Sequence, residues 1–111
     1  GSTGYSLSCN GPVISPDSKN VLITPIAPHN LNARPMVISD ETAIQLEVDS
    51  REKDFLISLD SRIYTISKNT KVFIKKAPFS VQSIIPKNQS FLNTLRSKLL
   101  WGEDTRNETN L

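Results

Sequence analysis

Residues 54–67 read DFLISLDSRIYTIS. Side chains alternate across a strand, so Phe55, Ile57 and Leu59 fall on one face of the first half. Asp60-Ser61 is a two-residue connection made of turn-forming types. RIYTIS then resumes the β pattern, so the stretch reads as an antiparallel hairpin. The same grammar extends to both sides. In AIQLEVD (43–49), Ile44, Leu46 and Val48 face one way and Gln45, Glu47 and Asp49 the other. TKVFIKK (70–76) puts Val72 and Ile74 on one side, and its lysines suit the protection of an edge strand. SVQSII (80–85) reads as one more strand before Pro86. Upstream, Val21-Leu22-Ile23 and Met36-Val37-Ile38 are short β runs. TPIAPHNLNARP (24–35) lies between them, and its prolines bar a regular central strand there. They also fix the backbone, which suits a shaped loop carrying His29 and Arg34.

Two helices bracket these strands. Ser2 and Thr3 suit an N-cap, with Tyr5 to Cys9 forming about two turns and Asn10-Gly11-Pro12 ending them. At the other end, Ser90 can cap a helix whose Phe91, Leu92, Leu95 and Leu99 share one stripe. Arg96 and Lys98 sit near its C-terminus, where the dipole favours cations, and Gly102 reads as its stop. EDTRNETNL (103–111) reads as a polar tail. The expected architecture is mainly β: about six antiparallel strands, sandwich-like, with a short first helix and an amphipathic last one. The apolar face of the last helix needs a covering surface, either from this chain's sheet or from a further domain.

Bulk composition narrows the functions. The chain has 111 residues, 37% of them hydrophobic and 22% charged, ordinary values for one globular domain. Thirteen basic residues are nearly matched by eleven acidic ones, for a net charge of +2, so nucleic acid and anionic membranes are not expected partners. No apolar run approaches a membrane span. Cys9 and His29 are the only residues of their types. A disulfide framework and a cysteine-built zinc site are therefore excluded. A lone thiol fits a reducing cytoplasm.

GSTGYSLSCNGP (1–12) has a second physical reading. Gly1 and Gly4 allow a ligand close to the backbone. Thr3, Ser6 and Ser8 offer hydroxyls that both donate and accept, and Tyr5 offers a face for stacking. It is not a Walker A loop, because the Lys is absent. From its own residues the stretch is equally a capped N-terminal loop. His29 is equally a packed ring, Arg34 a partner for a surface acid, and Asp60-Ser61-Arg62 a solvated turn.

Taken together, these stretches resemble the C-terminal part of NAD kinases. That family carries a Thr-Pro-Thr-Gly-Ser-Thr-Ala-Tyr-Ser-Leu-Ser run, and GSTGYSLS looks like it with the first three residues missing. NGPVISPDS (10–18) matches the family's Gly-Gly-Pro and Pro-Asp turn. PHNLNARPMVI (28–38), LDSRI (59–63) and FLNTLRSKLLWG (91–102) follow in the family's order. The resemblance covers residues 1–102, expected as an NAD-binding β domain with 103–111 as tail. It implies transfer of the terminal phosphate of ATP, or of polyphosphate in some members, to the adenosine ribose 2′-hydroxyl of NAD. A divalent metal such as Mg²⁺ assists in the intact enzyme.

The family's general base and metal-linked carboxylate lie in a Gly-Gly-Asp-Gly-Thr motif of an N-terminal α/β domain, a motif this sequence does not contain. The chain is thus expected to be a fragment, inactive alone, with no catalytic and no metal-binding residue. By resemblance, Thr3, Gly4, Tyr5, Ser6, Leu7 and Ser8 contact NAD: Thr3 and Ser8 through polar contacts at the adenine or nicotinamide end, Tyr5 by stacking. Ala27 and His29 match a loop that lies near the ligand where a neighbouring subunit helps close the site, which implies a homodimer or homotetramer. Arg62 stands where many members carry a ligand-contacting Gln. Gly4 replaces the usual Ala, and Asn10 replaces the first Gly of Gly-Gly-Pro. Asn tolerates a left-handed backbone, so that turn is expected to survive. The rival readings are a non-enzymatic β-sandwich binding module and the C-terminal domain of a related lipid kinase.

Overall fold

The computed structural model describes residues 1–100. Trp101, the expected stop at Gly102 and the tail 103–111 lie outside the described residues. Six strands are present, β1 (Asn20–Ile23), β2 (Met36–Ser39), β3 (Ile44–Leu46), β4 (Asp54–Leu59), β5 (Arg62–Ser67) and β6 (Val72–Ile74), with helices α1 (Tyr5–Ser8) and α2 (Phe91–Leu99) at either end. All strand pairs are antiparallel. The chain divides into two compact units: Lys19–Pro78, which holds every strand, and Gly1–Ser18 together with the stretch from Phe79 onward, which holds both helices.

The strand unit is built of two-stranded ladders. β4 and β5 form the expected hairpin, with Leu59 opposite Arg62 and Phe55 opposite Ile66. This register puts Phe55, Ile57 and Leu59 on one face with Arg62, Tyr64 and Ile66, as the period-2 pattern requires. Asp60 takes φ 53° at the tip, the positive φ that tight hairpin turns demand. β1 pairs with β2, Val21 opposite Ile38, across the proline-rich loop. β3 pairs with β6, Ile44 opposite Ile74. The ladder stops at Leu46, so the expected strand over 43–49 is shortened; Val48 lies past the last paired residue, Val72.

Two of the lysines flanking β6 hold ion pairs. Lys71 lies 3.4 Å from Glu47, both well exposed. Lys76 Nζ lies 2.5 Å from Asp40 Oδ2, linking the end of β2 to the segment after β6. Asp40 Oδ1 is buried and accepts no hydrogen bond from the described residues.

SVQSII forms no strand. Its apolar residues match β propensity, but a strand exists only where a ladder satisfies its backbone, and residues 80–85 have none. Val81 and Ile84 are almost fully exposed.

In the helical unit, α2 is capped as expected: Asn93 N donates to Ser90 Oγ at 3.1 Å. Leu95 is the one buried hydrophobic residue among those described, at 5% exposure. Phe91 and Leu99, about one turn before and one turn after it on the same line, are half-buried. Leu92, expected in that stripe, is 71% exposed. At 3.6 residues per turn it lies about 100° around the helix from Phe91, on the margin of the buried line. The helix ends at Leu99, with Leu100 in the left-handed region.

Candidate functional site

The stretch GSTGYSLSCNGP folds as one closed turn. Gly4 N donates to Gly1 O at 3.0 Å, and Leu7 N donates to Gly4 O at 3.0 Å. α1 is four residues long, shorter than the two turns expected. Its N-cap is Gly4, with no side-chain cap, so neither Ser2 nor Thr3 has the capping role the sequence pattern assigns. Ser2 is engaged elsewhere: its Oγ accepts from Ile14 N at 3.1 Å and donates to Ile14 O at 3.4 Å. A competing backbone partner is the usual reason a Ser near a helix start does not cap it.

The C-terminal end of α1 is better specified. Asn10 N donates to Leu7 O at 3.0 Å, and Gly11 N donates to Ser6 O at 2.7 Å. Asn10 has φ 61°, the left-handed conformation expected of this position. Asn substitutes for Gly here because its short polar side chain tolerates that region. Gly4, where the related run has Ala, leaves room for a side chain: an added Cβ would meet nothing closer than Gly1 O at 3.4 Å.

This turn presents three groups outward. Tyr5 is 87% exposed, and Thr3 and Ser8 are exposed. A flat aromatic face beside two hydroxyls suits a heterocyclic base. Ser6 and Leu7, also expected to contact NAD, are half-buried. Thr3 also lines a concavity of about 350 Å³ with Phe91, Thr94, Leu95, Lys98 and Leu99 of α2.

The remaining expected contacts lie in the strand unit. Ala27 and His29 sit on the exposed loop between β1 and β2. Ala27 holds φ 45°, directly before Pro28. A left-handed Ala costs about 1–2 kcal/mol, so the loop holds it against its preference. Asn30 Oδ1 accepts from Asn32 N at 2.9 Å, and Arg34 Nη1 donates to Leu31 O at 2.8 Å and Ala33 O at 3.0 Å. Arg34 thus braces its own loop through Nη1. Arg62 is exposed at the first position of β5, on a different ladder from that loop.

Among the described residues no group of three or more His, Cys, Asp or Glu side chains converges to hold a metal ion. Cys9 is a free, half-buried thiol. No helix of the described residues is long and apolar enough to cross a membrane.

Sequence reasoning placed Gly11 in the helix stop but missed its close approach to Ser6. It is buried, and a Cβ there would lie 2.7 Å from Ser6 O. A Gly after an Asn at a helix end was the available signal.

Comparison with known proteins bears on the whole chain. The profile of the ATP-NAD kinase C-terminal domain matches residues 1–85. The NAD kinase of Christiangramia forsetii is 62% identical over 107 residues, 96% of this chain and 36% of the relative. The NAD kinases of Flavobacterium psychrophilum and Cytophaga hutchinsonii are 56% and 53% identical over the same share of this chain. The chain therefore spans little more than a third of the length of these relatives. A profile match over most of its length, with antiparallel β structure between two short helices, leads to one conclusion: the chain belongs to the ATP-NAD kinase C-terminal domain family.

Proposed function

We propose that the intact protein containing this chain phosphorylates the adenosine ribose 2′-hydroxyl of NAD with ATP, giving NADP. In this reading residues 1–102 serve as the dinucleotide-contacting domain and 103–111 as a polar tail. What carries the proposal is the extent of similarity to proteins named NAD kinase, 62% identity across 96% of the chain. The exposed Thr3-Tyr5-Ser8 turn supports it from the chemical side.

Phosphoryl transfer asks the protein mainly to position the reactants and neutralise charge. The described residues contribute the positioning half. Tyr5 stacks on a base of the dinucleotide, since its ring is exposed and apolar on both faces. Thr3 and Ser8 supply hydroxyls that match the mixed donor and acceptor edge of adenine or the carboxamide of nicotinamide. Gly4 keeps the backbone accessible, and Ser6 and Leu7 hold the turn. Ala27 and His29, on the proline-braced loop, contact NAD where a neighbouring subunit of a homodimer or homotetramer helps close the site, and Arg62 is a further NAD contact.

A divalent cation such as Mg²⁺ would neutralise the phosphates of ATP in the intact enzyme. The described residues offer no converging carboxylates for it. The same reading places the protein in the cytoplasm, joined to an N-terminal domain that supplies the base.

The test is an assay of the intact parent with NAD, ATP and Mg²⁺. NADP formation is expected. Absence of NADP with ATP and with polyphosphate, or turnover of a lipid alcohol instead, overturns the proposal.

A further inference from the structure

We propose that Gly11 is a positioning residue for dinucleotide binding, acting through the carbonyl of Ser6. The inference rests on the reading of the Thr3–Ser8 turn given above. A four-residue helix with no side-chain N-cap has little to hold it, because nucleating a single turn is unfavourable by itself. The hold comes from outside the helix. Ser2 ties the entering segment to Ile14 by two hydrogen bonds. Gly11 ties the exit to Ser6 by the shortest backbone bond in the segment, 2.7 Å. Asn10, left-handed at φ 61°, turns the chain so that this bond can form.

Only Gly fits at the point of closure. A Cβ at residue 11 would lie 2.1 Å from Ser6 Oγ, 2.7 Å from Ser6 O and 3.1 Å from Ser6 C. The hydroxyl can rotate away. The carbonyl cannot, because it is main chain and is itself the acceptor of the Gly11 bond. Any side chain at residue 11 must therefore push the Asn10-Gly11 segment off Ser6 or push Ser6 out of the turn. Ser6 is covalently next to Tyr5 and one residue from Leu7, so displacing it displaces the exposed ring. Gly11 is buried, so its effect on a ligand is transmitted, not direct.

The experiment uses the intact parent enzyme. In Gly11→Ala, KM for NAD is expected to rise by about tenfold or more, the scale of loss seen when a contact group is misplaced by a fraction of an ångström to one ångström. KM for ATP is expected to stay unchanged, a split that general destabilisation does not produce. In Ser6→Ala/Gly11→Ala the hydroxyl clash is gone but the carbonyl remains, so no rescue is expected. Where Gly11→Ala fails to fold, Asn10→Val decides: it disfavours the left-handed turn without adding bulk at residue 11, and KM for NAD should rise alone. An active wild-type enzyme whose Gly11→Ala variant keeps its KM for NAD overturns this inference only. Rescue by Ser6→Ala also overturns it, because the obstruction would then be the hydroxyl. A wild-type parent that makes no NADP overturns the underlying reading instead.

Discussion

Removing Lys76 should destabilise the strand unit more than neutralising its partner does. The ion pair to Asp40 is 2.5 Å long and asymmetric: the Lys76 side chain is 59% exposed and that of Asp40 14%. Asp40 already carries one buried oxygen, Oδ1, with no hydrogen-bond donor among the described residues. Lys76→Ala would leave a mostly buried carboxylate with neither oxygen paired to a side chain. Exposed pairs are worth about 0–1 kcal/mol, and breaking a fully buried one costs about 3–5 kcal/mol. With one partner mostly buried and the other solvated, the cost should be about 2 kcal/mol. Asp40→Asn removes the charge that is expensive to bury, so it should cost about 1 kcal/mol. The double variant should lie closer to Asp40→Asn than to Lys76→Ala, with a coupling of about 2 kcal/mol. Urea unfolding followed by circular dichroism measures all three. The reasoning fails if Lys76→Ala is no worse than Asp40→Asn, or if the two changes simply add.

Three other substitutions test separate parts of the structure. Leu95→Ala, at the buried centre of α2, should cost about 2–4 kcal/mol in a denaturant melt, while the exposed Leu92→Ala costs under about 1 kcal/mol. Ala27→Val should destabilise by about 1–2 kcal/mol, because a β-branched residue resists φ 45°, whereas Ala27→Gly should not destabilise at all. Tyr5→Ala should leave stability within about 0.5 kcal/mol, since the ring is 87% exposed, yet weaken NAD binding by about 1–3 kcal/mol in a calorimetric titration of the intact enzyme.

What could be read from the sequence was local. The β4–β5 hairpin was legible because alternation on both sides meets at a two-residue turn, which leaves one register that keeps Phe55, Ile57 and Leu59 together. The Ser90 cap and the left-handed Asn10 were legible for the same reason: each depends on a side chain acting within a few residues. Pairing decided the failures. SVQSII has the composition of a strand, but composition does not provide a partner edge. AIQLEVD is cut to three residues by the short partner β6. Ser2 was a plausible cap until Ile14, distant in sequence, offered it a better bond. At the candidate site, physics alone allowed both a ligand turn and a capped loop. Resemblance, not spacing, singled out Thr3, Tyr5 and Ser8. The closure at Gly11 is a contact of the backbone with itself: Asn10-Gly11 marks the helix end, but the pattern does not show which carbonyl Gly11 meets.

The role assigned to the first turn can be read by photolabelling. The intact parent enzyme would be irradiated with an NAD analogue carrying an azide on the adenine and, in parallel, with one carrying it on the nicotinamide, then digested and the labelled peptides mapped. Label on the peptide spanning Thr3–Ser8, lost when unmodified NAD is added in excess, is the expected result. Label that NAD displaces from other peptides, with none on residues 1–11, would contradict the assignment of this turn to the dinucleotide.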